Sequence, residues 1–109
     1  MGKRVLLLTR DLFFRSKLAA VVRQAGAEVV SAEAPGDLAV IELGGADTEA
    51  RLRSLRERGI PVLAFGSHAR PQELRAARSA GAVAVPNSLV EARLRDLLEK
   101  TEGRDPLRP

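Results

Sequence analysis

The sequence contains no cysteine, which removes disulfides, thiolate metal sites and cysteine nucleophiles at once. Its one histidine, His68, leaves no histidine cluster for zinc. Tryptophan and tyrosine are absent, and Phe13, Phe14 and Phe65 are the only aromatics. The core must therefore be aliphatic, and no aromatic platform is available for stacking nucleobases. Lysine is confined to Lys3, Lys17 and Lys100, Asn87 is the only asparagine and Met1 the only methionine. This shortage of thermolabile side chains, beside 29% charged residues, fits a thermophilic source, although an arginine- and alanine-rich coding bias fits it equally. No apolar run approaches the length of a membrane span, and Val5 to Leu8 is too short for a signal peptide. A cytoplasmic protein with no membrane or metal partner and no cofactor is expected.

Catalytic signatures are missing as well. Gly44-Gly45 is not part of a Gly-x-Gly-x-x-Gly or a Gly-Lys-Ser/Thr phosphate loop and reads as a flexible turn. Ser67 lacks the flanks of a nucleophile elbow. His68 has no identifiable base or orienting partner, and no carboxylates are paired for acid-base work. These absences argue against an enzyme.

What is present is one domain's worth of chain. Its 109 residues, 45% apolar, can bury a single modest core. The formal charge of +4 is interspersed with acid, as in Arg56-Glu57-Arg58 and Glu91-Ala92-Arg93, which is the pattern of solvated helix faces. Nucleic-acid binding through Arg51, Arg53, Arg56, Arg75 and Arg78 is accordingly a weak third reading.

Short apolar runs alternate with helical periodicity along the chain. Residues 3–9 read as a strand buried on both faces. Asp11 sits at an N-cap position, residues 12–25 repeat at helical spacing, and Gly26 stops them. Further strands are predicted at 27–30, 37–43, 60–65 and 82–85. Helices are predicted at 47–58, at 70–80 with Pro71 in the first turn, and at about 89–100. Residues 103–109 form a polar tail after a domain spanning 1–102. The alternation implies an α/β domain of three layers, with a mainly parallel five-stranded sheet between helices.

One connection is too short. Only Ser31 to Gly36 separate the second and third strands, where a parallel crossover normally takes a dozen residues. Six extended residues reach about 20 Å. Either a bare strap crosses in place of a helix, or Pro35-Gly36 turns the chain and strand two runs antiparallel to strand three.

Several phrases resemble the receiver domain of two-component response regulators. They are Arg15, Leu18 and Val22 on the first helix, Gly26-Ala27-Glu28-Val29 before strand two, Asp37 to Ile41, Ile60-Pro61-Val62, and Ala80-Gly81-Ala82. The resemblance covers about residues 3–100. It implies a flavodoxin-like, CheY-like fold with strand order 2-1-3-4-5, and here the helix between strands two and three is missing. It also implies a site of five parts: an acidic pair for magnesium, an acceptor aspartate, a hydroxyl residue and a lysine. Here the acidic pair falls on Thr9-Arg10 with Asp11 just beyond, and the acceptor on Glu42. The hydroxyl falls on Gly66 with Ser67 beside it, and the lysine near Asn87-Ser88. Glu42 could imitate a phosphorylated aspartate while Arg10 pairs with it in place of the metal. The simpler expectation is two solvated charges at strand ends.

The resemblance therefore points to a degenerate, stand-alone pseudo-receiver that docks to another protein or to itself without phosphorylation. A different class of function is a small-ligand or nucleotide site at the sheet's carboxyl edge, near Thr9, Gly44, Gly45, Gly66, Ser67 and His68. If a helix is missing, Val5, Leu7, Val29 and Val30 are candidates for an uncovered apolar patch that a partner or second copy would cover. Receivers also associate through their last two helices. The charges Glu91, Arg93, Arg95 and Asp96 would suit such a contact.

Overall fold

The computed structural model describes residues 2–103. Five strands, β1 (Arg4–Leu8), β2 (Glu28–Val30), β3 (Leu38–Glu42), β4 (Val62–Gly66) and β5 (Val83–Pro86), alternate with four helices. The helices are α1 (Leu12–Gln24), α2 (Thr48–Glu57), α3 (Pro71–Ser79) and α4 (Val90–Gly103), the last preceded by a 3-10 turn at Asn87–Leu89. The expected tail lies outside the described residues from 104 onward. The sheet order is β2-β1-β3-β4-β5 and every pairing is parallel.

The alternating parity of the buried strands separates two cores. Val5, Leu7, Val40, Leu63 and Phe65 pack with Leu18, Val21 and Val22 of α1 and with Val90, Leu94 and Leu98 of α4. On the opposite face, Ile41 and Ala64 meet Leu74 and Ala77 of α3, while Leu6 and Ala39 meet Leu55 of α2 and Ile60 just before β4. Each fully buried Leu, Ile or Phe contributes about 1.5–3 kcal/mol of transfer free energy. The two layers are aliphatic apart from Phe65, on which Phe14 packs with ring centroids 5.1 Å apart.

The chain crosses from β2 to β3 as a strap, and the antiparallel alternative is excluded by the β1–β2 register (Arg4↔Glu28, Val5↔Val29, Leu6↔Val30). Six residues suffice because β2 is three residues long, only about 10 Å to retrace. The strap closes on itself through Ala34 N–H donating to Ser31 O, and it returns to β1 through Asp37 N–H to Arg4 O at 2.7 Å. The Asp37 carboxylate accepts from the Arg4 amide at 2.8 Å. Arg58 at the end of α2 reaches across and donates to Ala32 O (3.0 Å) and Ala34 O (2.7 Å). Gly36 lies directly on Leu6: a Cβ there would stand 2.1 Å from Leu6 Cδ1.

This geometry corrects the expected patch. Val5 and Leu7 are buried under α1 and α4, and Val29 packs on that same core. Only Val30 faces the side that lost a helix, where it packs beside Leu6, itself 0% exposed. At the helix starts Leu12, Phe13 and Leu89 are exposed, while Val21 of α1 and Val90 at the start of α4 are buried in the core.

Candidate functional site

Each parallel strand ends at the same edge, so the residues that follow β1, β3, β4 and β5 converge there. They line an open cleft of about 510 Å³. Of the residues singled out from sequence, Thr9, Arg10, Glu42, Gly44, Gly45, Gly66 and Ser67 line it, together with Asn87 at the place of the receiver lysine. Asp11 and His68 do not. Asp47, Thr48, Arg70 and Glu73 also line the cleft without having been singled out from sequence, and Arg51, a candidate there only for nucleic acid, joins them. Their position in or just before the first turns of α2 and α3 was the available signal.

Hydrogen bonding assigns most of these groups to local tasks. The Thr9 hydroxyl donates to Glu42 Oε1 at 2.5 Å and accepts from the Asp11 amide at 3.1 Å. The Asp11 carboxylate accepts from the amides of Phe13 and Phe14, capping α1. Arg15 donates to Leu7 O at 2.8 Å, fixing the start of that helix to the end of β1. Ser67 Oγ accepts from the Ala69 amide, and Thr48 Oγ1 from the Gly45 amide. Arg51 pairs with Asp47 at 3.1 Å and Arg70 with Glu73 at 3.5 Å.

The imagined Arg10–Glu42 salt bridge is not formed. Glu42 is taken by Thr9, and Arg10 stands exposed with no ion pair among the described residues. The donor set does not fit the magnesium ion that receiver chemistry implies. A hard divalent cation requires several carboxylate oxygens, but Thr9 and Arg10 replace the acidic pair and Asp11 is committed to the cap. Among the described residues no three acidic or histidine side chains cluster for a metal.

The same fold recurs in solved structures at low sequence identity. The BeF3-activated receiver domain of DrrB, from Thermotoga maritima, matches with a TM-score of 0.79 at 14% identity, over 95% of this chain and 100% of that one. This is the receiver fold. A CheY-like receiver domain from Methanospirillum hungatei matches at TM-score 0.72 and 21% identity, over 94% of this chain and 93% of that one. A two-component response regulator from Clostridium difficile matches at TM-score 0.73 and 14% identity, covering 92% and 98%. No family model and no curated protein matches the sequence. At such identities the likeness fixes the receiver fold and leaves function to the site. No helix among the described residues is long and apolar enough to cross a membrane.

Proposed function

We propose that this chain is a pseudo-receiver, a receiver-fold docking module with no phosphoryl switch and no catalytic activity of its own. One observation carries the reading: the glutamate at the acceptor position is already the acceptor of a 2.5 Å hydrogen bond from Thr9, where a receiver would carry a metal-binding carboxylate. Phosphoryl transfer needs neutralised charge around the transferred group. The cations of the cleft do not supply it as a set, since Arg51 and Arg70 already pair with Asp47 and Glu73. Glu42 thus serves as a structural tie between the ends of β1 and β3.

The test is intact-mass measurement after incubation with acetyl phosphate and Mg²⁺, with melting followed in Mg²⁺ and BeF3. The expected result is no added phosphoryl mass and an unchanged Tm, because a ligand that binds the native state must raise it by mass action. A phosphoryl adduct on Glu42, or a Tm rise with BeF3, would refute the reading.

A second reading, a small polar ligand in the cleft, is favoured by its size and by its lining, which includes Asn87 and an Arg10 that forms no ion pair among the described residues. A thermal-shift screen of nucleotides and small acids distinguishes it. Nucleic-acid binding has less support. Of the five arginines considered for it, Arg51 is paired with Asp47 and Arg78 donates to Ala84 O at 2.8 Å.

A further inference from the structure

The space between α2 and α3 is a continuous trough. A hollow of about 530 Å³ runs into a second of about 390 Å³, and the two share Leu52, Arg56 and Ala80. One wall is low, since it is made by Ala76 and Ala77 of α3 and by Ala80, which caps that helix. The other wall combines the half-buried Leu52 with Arg53 and Arg56, one helical turn apart on the rim.

These two arginines differ from most others nearby. Arg15, Arg58 and Arg78 donate to backbone carbonyls, while Arg51 and Arg70 are in ion pairs. Arg53 and Arg56 are exposed, with no ion pair or side-chain hydrogen bond among the described residues. Of the acids on the rim, Glu73 is engaged by Arg70, and Glu49 lies at the carboxyl-edge end of the trough. Two free guanidinium groups therefore flank an apolar floor on a chain of net charge +4.

We propose that this trough receives an acidic amphipathic helix of another protein. The proposal rests on the docking reading above and names the kind of partner. Strand addition is excluded, because β3 and β4 beneath the trough are hydrogen-bonded on both sides and offer no free edge. A helix suits the low alanine wall, which lets a second backbone approach to the 8–10 Å of packed helices. The ten residues of α2 give the trough a length of about 15 Å, room for about three turns anchored at i, i+4 and i+7. Carboxylates on the flank of that helix would meet Arg53 and Arg56.

The test is selection of a displayed library of helical peptides on the whole chain, with Kd of the winners measured by fluorescence anisotropy. Peptides with apolar i, i+4, i+7 positions and an Asp/Glu flank are expected. Arg53→Glu/Arg56→Glu is expected to weaken them about ten-fold or more, and added salt to weaken the wild-type complex. Ala76→Arg, at an exposed position, should block the trough while leaving the circular dichroism spectrum and Tm unchanged. Winners indifferent to these variants overturn the proposal. Winners lost instead in Phe13→Ser overturn the trough but retain the docking reading, and an empty selection overturns both. Self-association abolished by Ala76→Arg would make a second copy the occupant and overturn the proposal, as would duplex DNA displacing the peptide. A phosphoryl adduct in the acetyl phosphate experiment would end the switchless reading while leaving the trough standing.

Discussion

Replacing Arg58 by alanine tests how a receiver fold survives without one of its helices. The guanidinium grips two successive strap carbonyls, Ala32 O at 3.0 Å and Ala34 O at 2.7 Å. Hydrogen bonds to a charged group contribute about 1.5–3 kcal/mol each when sheltered. These are exposed, and water replaces the donor after truncation, so the pair together should contribute only about 1–2 kcal/mol. In a domain of this size that lowers Tm by roughly 5–15 °C. Arg58→Lys keeps the charge but not the planar fork, so it should recover about half of the loss. The distinguishing assay is native-state hydrogen exchange over residues 28–37. Loss of a clamp should release the strap and β2 before the rest of the sheet opens. A destabilised Arg58→Ala protein whose exchange rises uniformly, or one as stable as wild type, would refute the clamp.

Other perturbations bear on the same account. Gly36→Ala should cost about 1–3 kcal/mol in urea unfolding, since its Cβ would stand 2.1 Å from Leu6 Cδ1. Thr9→Val should cost about 1–2 kcal/mol by removing the donor to Glu42 and the acceptor for the Asp11 amide. Thr9→Ser should restore most of that stability. Asp11→Ala should cost about 0.5–2 kcal/mol through the lost cap of α1, read as a drop in Tm.

The element order was legible because its punctuation is local. Asp11 is the observed N-cap, Pro71 opens α3, and Gly26, Gly59 and Gly81 follow α1, α2 and α3 with positive φ. The strand order followed from the resemblance. What local pattern cannot supply is which face an apolar residue takes when the whole strand is apolar. Val5-Leu6-Leu7 carries no polar residue to mark the solvent side, so parity yields two sets without saying which lies under α1. Val5 and Leu7 were consequently placed on the wrong face. The Thr9–Glu42 bond was hidden for a related reason. It depends on the β1–β3 register, which sets Leu8 opposite Ile41 and so brings the next residue of each chain together. Charge alone pointed to Arg10 instead.

The missing helix has a consequence for association opposite to the one its absence first implies. A three-layer domain stripped of a helix ought to expose apolar sheet and require a partner there. Here the uncovered side chains are few, because β2 is only three residues long. Leu6 is sealed by the strap at Gly36, by Leu55 in the last turn of α2 and by Ile60 just before β4. The driving force for covering that face is therefore already spent within the chain, about 25 cal/mol for each Å² removed from water. Opening the strap should restore it. Arg58→Ala/Gly36→Ala should bind a hydrophobic dye and self-associate in sedimentation, and the wild-type protein should do neither through this face. Self-association of the wild type that persists when Leu12, Phe13 and Leu89 are replaced by serine, and is lost on charging the strap with Ala34→Glu, would show that the strap does not seal the sheet.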